Sequence, residues 1–178
     1  MNFIFQNAAD GISFSLDLAR SPCQAAGCAA LAYQEMCPSH LDSELGLRIA
    51  PSSIAGAGDG LWTTRPRKPH DLIAQYTGET MTDVQCTARY GPRATAPYAL
   101  EVARNTVIDA AGRRCAGAYA NHRPLGRANC RFTRRKDGTV WISACRRIRP
   151  DTELFVSYGR AYRMHQAGVS HATSEGAT

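Results

Sequence analysis

The sequence predicts a mostly β domain assembled from many short strands, and three observations support this prediction. From residue 45 onward, short segments with the composition of strands are separated by turn residues. The Asp-Gly step at 137–138 lies between two such segments and favours a tight turn. Helical periodicity is weak along the chain. Many short strands joined by turns are typical of an all-β domain.

Individual elements follow from local composition. Five segments read as strands: residues 98–102, 106–109, 131–133, 139–144 and 153–158. The first two are close enough to form a hairpin, and the third and fourth flank the Asp-Gly turn. Residues 83–90 form the segment that best fits two turns of helix.

Length and hydropathy favour one soluble domain. A chain of 178 residues suits a single compact domain with short extensions. Its apolar runs fall short of the roughly 20 residues that span a bilayer. The first 20 residues lack a basic n-region and contain Asp10 and Asp17, unlike a secretory signal. We therefore expect an intracellular protein with no membrane partner.

Charge is distributed unevenly along the chain. Residues 104–163 contain fourteen basic and four acidic side chains, a local balance of +10, within a chain of net charge +6. Residues 1–103 contain seven basic and ten acidic side chains, a balance of −3. A basic half of this kind favours a polyanionic partner, most commonly nucleic acid. The alternative is a solvated surface in a protein that uses arginine heavily.

The N-terminal region concentrates residues that bind metals. Within residues 21–44, the spacing Cys-x4-Cys-x8-Cys-x2-His supplies four ligands: Cys23, Cys28, Cys37 and His40. Thiolate and imidazole ligands suit tetrahedral zinc, and so short a segment would depend on the metal for much of its stability. The pattern resembles small Cys3His zinc knuckles. The alternative is a flexible leader with incidental cysteines. The other four cysteines are spread through the chain and read as packed thiols.

A glycine-rich segment at 56–60 allows close approach of the backbone to a ligand. It lacks the Gly-Lys-Ser/Thr ending of a phosphate P-loop. It also does not fit a dinucleotide fingerprint, because the prolines at Pro66 and Pro69 oppose a helix there. Taken alone, the segment is better explained as a plain turn.

Three further motifs follow this loop in a fixed order. They are Tyr76-Thr-Gly-Glu79, then Asn121-His122 ahead of Asn129, and finally Glu153-Leu-Phe-Val-Ser-Tyr158-Gly159. Together with the glycine loop, their order and spacing resemble the SET-domain lysine methyltransferases over about residues 45–162. The segment Val107-Ile-Asp-Ala110 also lies where that family carries an Ile-Asp-Ala strand. The combination of four motifs carries the resemblance, since each one alone is weak.

The resemblance implies a fold and an activity. The fold would be a β-clip of short strands in which the Asn-His segment and the C-terminal strand meet in a pseudoknot-like crossing. The activity would be transfer of a methyl group from S-adenosylmethionine to a lysine. The implied organisation is a leader at 1–20, a zinc knuckle at 21–44, a SET domain at 45–162 and a disordered tail at 163–178.

The resemblance also implies roles for individual residues. Tyr158 would be the catalytic tyrosine, and Tyr76 would line the substrate channel. The cofactor would contact the residues Gly58, Asp59, Gly60, Leu61, Trp62, Tyr98, Asn121 and His122, through backbone groups in the glycine loop and at His122. Such a site must align amine, methyl and sulfur, and an aromatic channel favours the neutral amine by desolvation.

The sequence departs from the family pattern at Arg123-Pro124 and at Val156. Arg123-Pro124 follows Asn121-His122 where relatives usually have Ser-Cys, a change in a loop at the cofactor and substrate side. Val156 stands where many relatives carry Phe or Tyr, and the smaller side chain favours addition of more than one methyl group. Tyr162 is the candidate to close the channel, although ordinary packing would explain it equally well.

The expected function is a nuclear histone lysine methyltransferase whose basic half, residues 104–163, contacts nucleosomal DNA. Because some relatives modify other proteins, a substrate with an exposed lysine is the firmer part of this expectation. The rival hypothesis is a SET-like adaptor for chromatin or nucleic acid with impaired cofactor binding. The intact Tyr158 and glycine loop argue against the adaptor, whereas Arg123-Pro124 argues for it. Measured affinity for S-adenosylmethionine separates the two hypotheses.

Overall fold

The computed structural model describes residues 2–6, 13–17, 20–91 and 96–159. Within these ranges the strands are β1 (Asn2–Gln6), β2 (Ser13–Asp17), β3 (Ser21–Pro22), β4 (Leu31–Ala32), β5 (Leu47–Pro51), β6 (Asp59–Thr63), β7 (Leu72–Gln75), β8 (Glu79–Met81), β9 (Ala99–Ala103), β10 (Thr106–Asp109), β11 (Asn121–His122), β12 (Cys130–Arg134), β13 (Val140–Ala144) and β14 (Thr152–Val156). The helices are α1 (Pro38–Leu45), α2 (Asp83–Tyr90) and one 3-10 helix (Ala116–Tyr119). The predicted tail at 163–178 and Tyr162 lie outside the described residues.

The strands form several small sheets, which confirms the prediction of a mostly β fold. The larger sheets have the strand orders β8-β10-β9, β11-β14-β6-β5 and β12-β13-β7. Two-stranded pairs, β1-β2 and β3-β4, precede them along the chain. The predicted hairpin at 98–109 is the antiparallel β9–β10 pair. The Asp-Gly turn joins β12 to β13, with Gly138 at φ 84° in the left-handed region.

Local sequence explains where the two α-helices begin and end. Pro38 occupies the first turn of α1, where its missing N–H leaves no helical hydrogen bond unmade. Gly46 ends α1 in the left-handed conformation, at φ 61°. In α2, Thr82 and Gln85 form a reciprocal capping box. Helix α2 confirms the two-turn helix predicted for residues 83–90.

The main core joins the β-sheets to α1. Its fully buried large side chains include Leu41 of α1, Leu61 of β6, Ile142 of β13 and Leu154 of β14. Helix α1 spans residues 38–45, and its Leu41 side chain is buried in the main core. Burial of apolar surface therefore ties the Cys/His region to the following domain.

A parallel strand pair closes the fold. Strand β11 pairs in parallel with β14, with Asn121 beside Phe155 and His122 beside Val156. Between them the chain forms the β12–β13 hairpin before it returns as β14, which also pairs with β6 on its other edge. This is the crossing expected from the sequence.

The described helices are also informative about membranes. At eight residues, the longest of them are far shorter than a bilayer-spanning helix requires.

Candidate cofactor and substrate site

The glycine loop is held in place by a carboxylate from β14. Glu153 accepts hydrogen bonds from Ser52 Oγ (2.6 Å), Ser53 Oγ (2.6 Å) and the Ser53 N–H (2.7 Å). The loop closes through the Ser52 N–H, which donates to the carbonyl of Gly58 (2.8 Å). Gly58 itself has φ 69°, a conformation that favours glycine. The loop's shape therefore depends on a residue about 100 positions along the chain.

Glu153 remains charged despite its burial. The side chain is only 3% exposed, and burial alone would raise its pKa. The hydrogen bonds from Ser52 and Ser53, with a further one from Asn121, outweigh burial and lower the pKa overall. Gly60 makes room for this carboxylate, because a side chain at that position would collide with Glu153. Glycine at this position is thus required by packing.

Asn121 reaches from β11 across β14 to the glycine loop. Its Nδ2 donates to the carbonyl of Asp59 (3.1 Å) and to Glu153 Oε1 (3.3 Å). The structure therefore brings together Asn121, Asp59 and Gly60, three of the predicted cofactor residues. The Asn121 amide links the two chain segments that the resemblance assigns to the cofactor.

Asn129 has a role that the sequence did not assign. Its Nδ2 donates to the Glu153 carbonyl (2.8 Å), and its Oδ1 accepts from the Phe155 N–H (2.7 Å). A single amide thus pairs with the β14 backbone as a neighbouring strand would. The position of Asn129 in the Asn-His…Asn motif indicated that it matters. The sequence alone could not show that Asn129 contacts the β14 backbone.

Tyr158 follows β14 directly and is fixed at both ends. Its N–H donates to His122 Nδ1 (3.1 Å), and its hydroxyl donates to the Ala120 carbonyl (2.7 Å). The rings of His122 and Tyr158 are 5.3 Å apart, centroid to centroid. The His122 side chain therefore contacts Tyr158. The resemblance assigns a different part of this residue, the His122 backbone, to the adenine of the cofactor.

Tyr76 and Tyr98, two further predicted aromatic site residues, lie together. The Tyr76 hydroxyl donates to the Tyr98 carbonyl (2.7 Å), and burial raises the Tyr76 pKa well above its usual value. The Tyr98 ring lies 3.5 Å from the guanidinium carbon of buried Arg114, which also faces Tyr119. This guanidinium among tyrosine rings is a feature that the sequence did not predict.

A cavity of about 530 Å³ lies on the face of β14 that carries Glu153 and Phe155. Its lining combines the aromatic rings of Trp62 and Phe155 with several arginines, among them Arg123. The Arg123 guanidinium lies over the Phe155 ring at 4.8 Å. The unusual Arg123-Pro124 step thus places a cation at the cavity wall. The volume is in the range of small-molecule sites, about 300–1,000 Å³.

The four predicted metal ligands converge. The ligand atoms of Cys23, Cys28, Cys37 and His40 all lie within 4.8 Å of one another. The Cys28 and Cys37 sulfurs are 4.0 Å apart, and His40 Nδ1 lies 3.5 Å from Cys23 Sγ and 3.3 Å from Cys37 Sγ. Tetrahedral zinc requires separations of about 3.8 Å between sulfurs and about 3.5 Å between sulfur and nitrogen. The cluster could therefore hold a tetrahedral metal ion.

A backbone hydrogen bond favours the thiolate form of Cys23, one of the four predicted ligands. The Cys37 N–H donates to Cys23 Sγ (3.3 Å), and this hydrogen bond contributes most to lowering the pKa of Cys23 to about 6. Thiolate is the form that ligates metals. A donor set of three sulfurs and one imidazole fits zinc better than it fits calcium or magnesium, which prefer oxygen.

Comparison with known proteins agrees with the site's geometry. A family profile described as "SET domain" matches residues 58–159, more than half of the chain. The match runs from the glycine loop to the residue after Tyr158 and includes the β11–β14 crossing. The chain therefore belongs to the SET-domain family. No match was found among curated protein sequences.

Solved structures show the same fold. A Chaetomium thermophilum polycomb repressive complex 2 superposes with a TM-score of 0.56 and 20% identity, over 64% of this chain and 15% of that chain. An autoinhibited form of that complex bound to S-adenosylmethionine gives the same values. A complex with H3K27me3 and H3K27M gives 0.58 and 19%, over 68% of this chain and 15% of that chain. This chain thus spans a small part of those much longer chains.

We expect Glu153→Gln to destabilise the protein by about 1–3 kcal/mol. The glutamine NH2 group is a donor, and it would face the N–H and O–H donors that now bond to the Glu153 carboxylate. The folded pKa of Glu153 lies below the unfolded value. Its stabilisation is therefore present above the unfolded pKa of about 4.3 and is lost as pH falls through the folded pKa.

Urea unfolding between pH 3 and pH 7 measures both effects. The variant should show a weaker dependence of unfolding free energy on pH across this acidic range. Glu44→Gln, at an exposed position on α1, is the matched control and should change little. Equal pH dependence in wild type and Glu153→Gln would contradict a charged Glu153.

Proposed function

We propose that this protein transfers a methyl group from S-adenosylmethionine to the side-chain nitrogen of a lysine in a protein substrate. The observation that carries the proposal is the meeting of three elements at the β11–β14 crossing. Asn121 bonds to Asp59 of the glycine loop, and Tyr158 is fixed by His122 of the same short strand. Chain segments more than 60 residues apart thereby form one site.

The residues present fit S-adenosylmethionine. The glycine loop offers main-chain groups for an amino-acid moiety, as the resemblance implies for Gly58 to Trp62, and Asn121 adds a side-chain amide beside them. The neighbouring cavity combines aromatic surface with polar groups, a mixture suited to adenosine. When bound, the cofactor supplies a methyl group already activated by its sulfonium charge.

The tyrosines can prepare the lysine. A buried aromatic channel disfavours the ammonium form by desolvation, so the amine enters as the neutral nucleophile. The hydrogen bond from the Tyr158 hydroxyl to the Ala120 carbonyl leaves the phenol oxygen's lone pairs directed elsewhere, available for weak C–H···O contacts with a methyl group. The Tyr76 side chain is held by its hydrogen bond to the Tyr98 carbonyl, and both tyrosines would line the approach. Positioning of this kind supplies several kcal/mol of a barrier.

A histone tail in the nucleus is the proposed substrate. A structural neighbour is a complex with H3K27me3 and H3K27M, and we extend that substrate class to this chain. Val156, fully buried beside His122, leaves more space near the site than Phe or Tyr would, which favours addition of more than one methyl group. The assignment to chromatin is supported by the excess of arginines between residues 104 and 163.

Nucleosomal DNA is the proposed partner of the basic half. The exposed cations of this part of the described chain are Arg104, Arg113, Arg127, Arg131, Arg134, Arg135, Lys136, Arg146, Arg147 and Arg149. Their number exceeds that of the exposed acids Asp137 and Asp151 in the same segment. Arginines at the surface bind phosphate oxygens through paired N–H donors.

Zinc is the proposed occupant of the Cys/His cluster, on the fit of its distances and donor atoms. The knuckle then adds stability where apolar burial is small. An adaptor that does not bind S-adenosylmethionine remains the alternative function. Arg123, which replaces the family's usual serine and lies on the cavity wall, is the observation that favours it.

The central prediction concerns Tyr158→Phe. Loss of the hydroxyl removes the bond to Ala120 and one oxygen near the methyl group, so we expect turnover to fall by at least about 100-fold. The dissociation constant for S-adenosylmethionine should change by less than about threefold, since the mutated group acts on the reacting atoms.

Transfer of labelled methyl from S-adenosylmethionine to recombinant nucleosomes and to free histones tests this prediction. Tyr33→Phe, a tyrosine of the Cys/His region that lies beside Arg20, is the matched control. Label on one histone that is lost in Tyr158→Phe supports the proposal. Cofactor binding without label on either substrate excludes the histone assignment, and absence of cofactor binding as well favours the adaptor.

We expect the purified protein to contain about one zinc ion per chain, and Cys37→Ser to lose it, because three protein ligands hold zinc less tightly than four. Elemental analysis after dialysis measures the metal. Cys145→Ser, at an exposed cysteine outside the cluster, should keep full zinc content. A zinc-free wild-type protein would remove the metal site from the proposal.

DNA binding should depend on the exposed arginines. The double variant Arg146→Ala/Arg147→Ala is expected to weaken binding to a duplex of mixed sequence and to reduce the salt dependence of log K by about 2 units. Fluorescence anisotropy between 50 and 200 mM salt measures this slope. Arg20→Ala/Arg48→Ala removes two exposed cations outside the basic half and should leave the slope unchanged. Equal slopes in both variants would argue against a DNA surface here.

A further inference from the structure

A partly buried hydrogen bond joins the Cys/His region to the 3-10 helix of the SET domain. Glu35 lies between Cys28 and Cys37, and its Oε2 accepts a hydrogen bond from the N–H of Ala116 (2.8 Å), which is 81 positions along the chain. Ala116 is fully buried and is the first residue of the 3-10 helix. One carboxylate of the metal-binding region therefore holds the start of this helix.

Glu35 is itself fixed by the fold of the Cys/His region. Its carbonyl accepts from the Gln24 N–H (2.9 Å), directly after the ligand Cys23. The next residue, Met36, packs against both the Cys/His cluster and the main core. The position of the Glu35 carboxylate consequently depends on the same chain path that brings the four ligands together.

The far end of the 3-10 helix holds the proposed catalytic tyrosine. The helix ends at Tyr119, and the carbonyl of the next residue, Ala120, accepts from the Tyr158 hydroxyl (2.7 Å), with Asn121 following immediately. The helix has little freedom to adjust within its own packing. An added Cβ at Gly117 would lie only 3.2 Å from the Gln75 carbonyl of β7. The Ala120 N–H donates to the Gly117 carbonyl (3.2 Å), which connects Ala120 to the first turn of the helix.

We propose that Glu35 is a positioning residue that couples metal binding at the Cys/His cluster to the placement of Tyr158 and Asn121, through the 3-10 helix between them. The proposal rests on the proposed methyltransferase function for its catalytic consequence, whereas the coupling between metal and helix can be measured without catalysis. A bound metal fixes the loop from Cys28 to Cys37, Glu35 then holds Ala116, and Ala120 presents its carbonyl to Tyr158.

The decisive comparison is between Glu35→Ala and Glu35→Gln in the zinc-loaded, full-length protein. The glutamine keeps an acceptor oxygen for the Ala116 N–H, and the alanine does not. Glu44→Ala, an exposed glutamate on α1, is the control for loss of an acidic side chain. Zinc content measured for every variant separates loss of metal from loss of coupling.

Hydrogen–deuterium exchange of the peptide that contains residues 116–122 provides the readout independent of activity. We expect Glu35→Ala to raise the exchange rate there by about tenfold while zinc content is unchanged, and Glu35→Gln to restore most of the protection. Removal of zinc by a chelator should raise exchange of the same peptide in wild type, with little further increase in Glu35→Ala, because both changes break one connection. Full protection in Glu35→Ala, or equal effects of zinc removal in both proteins, would overturn the coupling.

Kinetics test the catalytic consequence. Glu35→Ala should lower kcat by about 10- to 100-fold through misplacement of Tyr158, and Glu35→Gln should recover most of it. The Kd for S-adenosylmethionine should rise by a smaller factor. An unchanged kcat in Glu35→Ala, despite increased exchange, would overturn the positioning role. If wild type transfers no methyl group to any histone substrate, the proposed function fails, and the exchange measurements still decide whether zinc and the helix are coupled.

Discussion

The position of β14 is the constraint on which the rest of the structure depends. This strand pairs with β6 on one edge and in parallel with β11 on the other. Its buried residues Leu154 and Val156 complete the main core, while Glu153 on its opposite face holds the glycine loop. Because one strand performs both tasks, formation of the core and formation of the candidate site are the same folding event.

Polar side chains replace strand pairing where the short strands end. Asn129 bonds to the β14 backbone on both sides of Leu154, and His122 accepts from the N–H of Tyr158 just beyond the strand. Buried amide and imidazole groups satisfied in this way fix a unique geometry. The family's Asn-His…Asn pattern thus has a structural meaning: each residue satisfies or bridges backbone groups that a longer sheet would have paired.

The Cys/His region contacts the SET domain at two places. Leu41 of α1 lies in the main core, and Glu35 reaches the 3-10 helix that leads to Asn121. The region therefore meets the SET domain through apolar packing at Leu41 and through a partly buried hydrogen bond at Glu35. A metal ion held there would act on the candidate site through both contacts.

The sequence by itself determined the fold class, the order of the motifs and the four Cys/His residues proposed to bind metal, because strand composition, turn chemistry and residue spacing are local properties. It also gave the family, through motifs whose residues are all legible in one dimension. Only the tertiary structure decided that Glu153 supports the glycine loop, that Arg114 lies among tyrosine rings and that Glu35 bonds to Ala116. Those contacts join residues separated by many positions, and their partners are selected by packing of the whole chain, which no local pattern encodes.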